Sequence, residues 1–94
     1  MPYQLARHSV KNYRKWRAVF DEHAVKRREL GSKGGLILRN AQKPEEIVVL
    51  LEWGNLAKAQ EFMKWGDPSE IGKRAGVVGR PDVRLLDLVD EVSA

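Results

Sequence analysis

The fold is most clearly indicated by residues 46–53, which read EIVVLLEW. In an extended strand successive side chains point to opposite faces, so Ile47, Val49 and Leu51 share one face of the sheet. The two residues between them, also apolar, lie on the other face. Such a strand belongs in a sheet that is covered on both sides.

Three further strands are predicted around this segment. Leu36–Arg39 precedes it across a turn at residues 40–44, so the two strands should form an antiparallel hairpin. Tyr3–Val10 interleaves apolar and polar residues and is predicted to be the first strand. The last strand is Val83–Val89, after a turn of the chain expected at Gly76, Gly79 and Pro81.

One long helix is predicted between the first two strands. The Asn12 side chain can cap its first turn, and Gly31 can end it in a left-handed conformation. Between them, apolar residues recur at three- and four-residue intervals and form one stripe: Tyr13, Trp16, Phe20, Ala24 and Leu30.

A second helix follows the hairpin. Asn55 can cap it, and four residues share its apolar face: Leu56, Ala59, Phe62 and Met63. Asp67-Pro68 then begins a short helical segment that runs to about Ala75, with proline at its first position.

The resulting order, βαββαβ, predicts an α+β ferredoxin-like fold with a four-stranded antiparallel sheet and both helices on one face. At 94 residues the chain is one domain, residues 1–94. Two helices cannot cover both faces of an apolar sheet, so the other face should be an interface. We therefore expect a homodimer that packs sheet against sheet.

Several stretches resemble the small dimeric α+β barrel proteins related to the antibiotic-biosynthesis monooxygenases. They are Tyr13-Arg14-Lys15-Trp16, Phe20-Asp21-Glu22-His23 with Arg27 and Gly31, Leu38-Arg39-Asn40, residues 44–53 and residues 75–79. The resemblance implies a ligand pocket between sheet and helices in each protomer. Relatives often have histidine at the position of Leu36 and an aromatic residue at that of Arg84, so a pocket using those positions would differ here. Haem-degrading relatives use a histidine on the second helix, but residues 55–75 contain none, so haem degradation is not expected. The cofactor-free chemistry that the resemblance implies requires no cofactor.

Composition excludes several kinds of protein. The chain has no cysteine, which rules out disulfides, thiolate metal sites and cysteine nucleophiles. Its longest strongly apolar run, Ile47–Leu51, is too short to span a bilayer. The N-terminus lacks a basic region followed by an apolar stretch, so we expect a cytoplasmic protein without a membrane partner.

The net charge of +4 raises nucleic acid as a partner. The excess positive charge lies between Lys11 and Lys33, where three acidic residues are interleaved with eight basic ones, as on a solvated helix face. RNA-recognition modules share the βαββαβ order but place stacking aromatics on the first and third strands. The third strand has no aromatic residue before Trp53, so an RNA-binding module is only a remote alternative.

Two residues of the first helix are the candidate catalytic groups. Arg27 lies in the apolar stripe, so its guanidinium must reach solvent, pair with a carboxylate or bind an anionic ligand. His23, four residues earlier, could point into the same pocket and act as a general base. The alternative for both is a purely structural role. Two histidines far apart in sequence give no metal-binding pattern.

The candidate substrate-binding residues are aromatic or imidazole side chains: Tyr13, Trp16, Trp53, Trp65 and His8. Tryptophans can wall a pocket for a flat apolar molecule, whereas Phe20 and Phe62 are expected in the core. His8 lies on the first strand and faces either the helices or a partner. In the second case it would be a hydrogen-bonded interface histidine.

Two hypotheses on function follow. The protein could be a cofactor-independent monooxygenase, cyclase or isomerase that acts on an apolar or polyketide-like small molecule. In that case His23 removes a proton and Arg27 stabilises the resulting anion. Alternatively, it is a non-catalytic binding or stress-associated dimer in which these residues are structural.

Overall fold

A computed structural model describes residues 1–66 and 68–94. The elements are, in order, β1 (Pro2–Val10), α1 (Tyr13–Glu22), α2 (Ala24–Glu29), β2 (Ser32–Arg39), β3 (Glu46–Trp53), α3 (Leu56–Lys64), α4 (Pro68–Ala75) and β4 (Val77–Asp87). The strands form one antiparallel sheet in the order β2-β3-β1-β4, which confirms the ferredoxin-like α+β fold. Asp67, predicted to begin the last helical segment, lies outside the described residues.

One face of the sheet packs against the helices and forms the core. Strand β3 contributes Ile47, Val49, Leu51 and Trp53, all buried, as the alternation of its residues predicts. Helix α1 contributes Trp16 and Val19, while an ion pair between Arg74 and Glu22 joins α4 to α1. None of the helices within the described ranges is long and apolar enough to cross a membrane.

The predicted helix boundaries at both caps are confirmed. The Asn12 side chain accepts a hydrogen bond from the Lys15 amide at 3.1 Å, and the Asn55 side chain accepts one from the Lys58 amide at 2.9 Å. Each bond satisfies an amide of the first turn that has no partner within its helix. Gly31 follows α2 with φ +91°, the left-handed conformation expected of it.

The single long helix predicted between the first two strands was wrong, because it breaks at His23 into α1 and α2. The carbonyl of Phe20 accepts hydrogen bonds from the His23 amide at 3.2 Å and from Arg27 Nη1 at 2.8 Å. A side chain that binds a helix carbonyl in this way interrupts the regular backbone ladder. The break places His23 at the corner between the two helices.

Strand β4 begins at Val77, six residues before the predicted start, because Gly79 and Pro81 lie within it rather than in a turn. Arg7 pairs with Asp82 and Ser9 with Val78, so residues 79–81 form a bulge opposite His8. Gly79 adopts φ +76° there, and β4 is an edge strand, where proline costs no ladder bond. Pairing with β1 therefore continues through a segment that looks like a turn in the sequence.

Strand β2 begins at Ser32, four residues before the predicted Leu36, and includes both glycines of the Gly34-Gly35 pair. Its register against β3 shifts between Ser32 and Gly34. A Cβ atom on Gly35 would lie 1.8 Å from the carbonyl oxygen of Leu50. Only glycine allows the two strands to approach this closely.

Candidate functional site

A cavity of about 450 Å³ lies between the helix face of the sheet and the helices. Its floor comes from the central strands, and its walls come from α1, α3 and α4 with the segments that follow them. Most of its lining is apolar, including Val49, Leu51, Phe62 and Ile71. Four polar side chains also line it: Gln4, His8, His23 and Arg27. A mainly apolar cavity with a few polar groups is typical of a small-molecule site.

Arg27 is buried beside this cavity, with 9% of its surface exposed. Its Cζ atom lies 3.7 Å from the centre of the Phe20 ring, a cation–π contact, and Nη1 donates to the Phe20 carbonyl. Burial lowers the pKa of the guanidinium. Within residues 1–66 and 68–94 no carboxylate pairs with it. The Arg27 side chain therefore has little contact with bulk water and forms no ion pair in the described chain.

His23 lines the same cavity from the corner between α1 and α2. Its ring meets the Trp65 ring edge-on, with centroids 5.2 Å apart. Burial, and secondarily the positive charge of Arg27, lower the pKa of His23 below its usual 6.5. The imidazole is therefore neutral at pH 7 and can accept a proton. The predicted convergence of His23 and Arg27 on one pocket is present.

His8 faces the helices, because it pairs with the inward-pointing Ile47. Its ring centre lies 5.5 Å from that of Trp16, and it lines the cavity. Both ring nitrogens are buried without a hydrogen-bond partner among the described residues. Burial lowers the pKa of His8, which keeps the ring neutral at pH 7. Of the two faces left open by the sequence, His8 therefore occupies the one towards the helices.

The aromatic candidates divide into two groups. Trp16 and Trp65 line the cavity, and Trp16 stacks on Phe20 with centroids 5.1 Å apart. Trp53 is instead fully buried in the core. Tyr13 lies outside the cavity lining, with the Arg39 guanidinium 5.1 Å from its ring centre. A substrate-binding role for any of them stays a prediction.

Sequence reasoning missed three features of the lining. Phe20 and Phe62, for which the core was favoured, also border the cavity. Gln4 was not singled out, although it alternates with Ala6 and His8 on the inward face of β1. Its Oε1 atom accepts a hydrogen bond from the buried Trp53 Nε1 at 3.2 Å. A polar residue in phase with inward-facing neighbours was the available signal.

The two departures from the resembling proteins lie away from this cavity. Leu36 pairs with Leu50, and Arg84 pairs with Leu5, so both point to the open face of the sheet. Neither lines this cavity, so the difference expected of a pocket that uses those positions does not apply to it. In the described part of the chain, no group of three or more His, Cys, Asp or Glu residues is arranged to hold a metal ion.

The fold has close matches among solved structures. No protein-family model matches the sequence, and no curated protein sequence matches it. A candidate antibiotic biosynthesis monooxygenase from Deinococcus radiodurans matches with a TM-score of 0.74 and 13% identity, over 100% of this chain and 98% of that one. A second, from Bordetella bronchiseptica, matches with a TM-score of 0.75 and 16% identity, over 94% and 96% of the two chains.

SnoaB from Streptomyces nogalater, described as a cofactor-independent oxygenase, matches with a TM-score of 0.75 and 13% identity, over 99% of this chain and 97% of its own. The chain has the antibiotic-biosynthesis-monooxygenase fold. The resemblance identified in the sequence is thus confirmed for the fold. At these identities the matches leave activity and substrate to be argued from the site.

Proposed function

We propose that the protein binds a flat, apolar, enolisable molecule in the cavity and oxygenates it without a cofactor. One observation carries the proposal: a buried guanidinium without a carboxylate partner in the described chain lies with a neutral histidine beside a mainly apolar cavity. The likeness in fold to SnoaB, a cofactor-independent oxygenase, supports the same reaction class. Cyclisation and isomerisation begin with the same proton abstraction and are the related alternatives.

Two side chains act in the first chemical step, one on the proton and the other on the enolate. His23 accepts a proton from an acidic C–H bond of the substrate, which leaves an enolate. Arg27 has five N–H donors, and one of them is bound to the Phe20 carbonyl. The remaining donors can bind the enolate oxygen, where the apolar surroundings strengthen the attraction between the opposite charges.

Oxygen then reacts with the enolate carbon. With anthrone as the substrate, the carbanion transfers an electron to O2, and the two radicals combine to form a C–O bond. The peroxide takes up the proton held by His23, and loss of water gives anthraquinone. One oxygen atom enters the product and the other leaves as water, while the substrate C–H bonds supply the electrons. The overall balance is one anthrone and one O2 to one anthraquinone and one water.

The test measures oxygen consumption with anthrone in the presence of a metal chelator. His23→Ala and Arg27→Ala should each lower kcat by about 100-fold or more, because each removes a group that acts on the forming enolate. Arg28→Ala is the matched control, since it removes the neighbouring exposed arginine of α2 and should retain the rate within about twofold. Folded variants that keep the wild-type rate would reject the assignment.

A non-catalytic binding or stress-associated protein is the second candidate. It is favoured by the contacts of Arg27, which bridges the helix break through the Phe20 carbonyl and ring. In that case Arg27→Ala should lower the free energy of unfolding, and no turnover of anthrone by the wild type should exceed the buffer rate. Comparing the unfolding curve with oxygen consumption separates the two candidates.

Each protomer also has a face that the proposed homodimer would cover. On the sheet side away from the helices, Leu36, Leu38 and Leu86 have 58%, 49% and 41% of their surface exposed. Leu50 and Val48 lie between these edges in β3. A second copy packed on this face would bury these apolar side chains, most of them on β2 and β3, beside the charged residues Arg7, Asp82 and Arg84 of β1 and β4. The apolar part of the face supports the proposal of a sheet-to-sheet dimer.

A further inference from the structure

Among the residues that the structure describes, His8 differs from the other polar residues of the cavity in having no hydrogen-bond partner. Both ring nitrogens are buried and unpaired among the described residues, although the ring lines the cavity. Buried polar atoms in folded proteins almost always have a hydrogen-bond partner, so two nitrogens of one ring that both lack a partner require an explanation. The proposed reaction uses His23 and Arg27 and leaves His8 without a role.

We propose that His8 is a specificity-determining residue that hydrogen-bonds a neutral hydroxyl group of the ligand. This inference rests on the proposed function for the identity of the cavity. A neutral imidazole has one donor and one acceptor nitrogen, and a hydroxyl group can complement either. A carboxylate only accepts hydrogen bonds and an ammonium group only donates them. Burial lowers the pKa of His8, which supports the neutral form.

The cavity wall between His8 and Arg27 indicates the shape of the ligand. The His8 ring contacts Trp16 at 5.5 Å between centroids, Trp16 stacks on Phe20 at 5.1 Å, and the Arg27 guanidinium lies 3.7 Å from the Phe20 ring. A flat body of about two rings can lie along these aromatic residues. Its hydroxyl group would meet His8, and an anionic oxygen at the opposite end would meet Arg27.

The bulge in β4 would allow the hydroxyl group of the ligand to reach the His8 ring. The ring nitrogens have almost no exposed surface in the unliganded protein, so the surrounding side chains must move apart slightly when the ligand binds. Opposite His8, residues 79–81 bulge away from the regular pairing with β1. The interrupted ladder holds this segment less firmly than continuous pairing would. Pro81 lines the cavity from this bulge.

The experiment compares the binding of 6-hydroxy-2-naphthoate and 2-naphthoate by titration calorimetry. The two probes differ only in the hydroxyl group, and neither has an enolisable C–H bond, so binding is measured without turnover. The wild type should bind the hydroxylated probe about tenfold more tightly, as one additional hydrogen bond predicts. His8→Leu should abolish this preference and leave the Kd of 2-naphthoate within about twofold.

Two further variants distinguish recognition from a general effect on the fold. His8→Asn keeps a donor and an acceptor and should restore part of the preference. Ser9→Ala, at the next position on the opposite face of β1, should retain all of it. Equal affinity of the wild type for both probes, no binding of either, or a preference that persists in His8→Leu would overturn the inference. A hydroxyl preference without turnover of anthrone would instead reject the proposed reaction alone.

Discussion

At the scale of single residues, the two His8 nitrogens that lack a partner among the described residues lower the free energy of unfolding and remain available to a ligand. Leaving a buried polar atom without a partner costs about 1–3 kcal/mol. His8→Leu removes both unpaired nitrogens at similar volume and should raise the free energy of unfolding by roughly 1 kcal/mol at pH 7.5. Urea unfolding measures the change. A substantial loss of stability in His8→Leu would show that favourable contacts of the ring exceed the cost of its unpaired nitrogens.

His8 should also make stability dependent on pH. Burial lowers its folded-state pKa below 6.5, so the unfolded chain binds a proton more readily. The contribution of His8 to the free energy of unfolding is fully present above pH 6.5 and is lost as the pH falls towards the folded-state pKa. Between pH 7.5 and 5.5 the wild type should therefore lose more stability than His8→Leu. The pKa of His23 is also lowered, so His23→Gln is the control that measures how much of the pH-dependent loss of stability comes from His23. Identical losses in the wild type and His8→Leu would contradict this prediction.

The residue scale also separates what the sequence could predict from what it could not. The i, i+4 spacing of His23 and Arg27 was sufficient to place both beside one cavity, because a helix places such residues on one face. The bond from Arg27 to the Phe20 carbonyl was not predictable, since it depends on how the guanidinium is buried. The face of His8 likewise required the register of β1 against β3.

At the scale of secondary structure, local signals were reliable and tertiary ones were not. Asn12 and Asn55 identified helix starts because a cap involves only neighbouring residues. The glycine and proline of residues 79–81 predicted a turn, yet pairing with β1 continues around them as a bulge. Strand β2 was predicted too short for a related reason. A glycine in a strand can mark close approach between backbones rather than the end of pairing.

That close approach gives a prediction for the β2–β3 hairpin. Gly35→Ala would place a Cβ atom 1.8 Å from the Leu50 carbonyl oxygen, so the strands must separate, and we expect a loss of about 3 kcal/mol or more. Gly54→Ala is the matched control, because its Cβ would lie 3.6 Å from the nearest atom, an ordinary contact. It should cost no more than about 1 kcal/mol. Denaturant unfolding of both variants is the measurement, and equal losses would contradict the role of close approach.

At the scale of the whole molecule, the two faces of the sheet have different surroundings. The inward face carries the core and the cavity, and the outward face leaves leucines exposed on both edge strands. An exposed apolar surface of this kind favours association, and the isologous contact of the proposed two-fold dimer would cover it with the same surface of a second copy. The alternation of β3 was enough to predict the apolar outward face from the sequence, because it placed apolar residues on both faces. The dimer itself stays a prediction.

A single charge on the outward face tests the proposed dimer without disturbing the protomer. Leu38 is 49% exposed on the outward face, so Leu38→Glu should cost the isolated protomer little, about 1 kcal/mol or less, while placing a charge in the proposed interface. Val25, 59% exposed on α2 on the helix side, provides the control Val25→Glu. In sedimentation velocity at micromolar concentration, the wild type and the Val25 variant should have twice the 10.7 kDa chain mass. The Leu38 variant should sediment as a monomer with an unchanged circular dichroism spectrum. A wild type that sediments at 10.7 kDa would mean that the outward face is stable in water without a second copy.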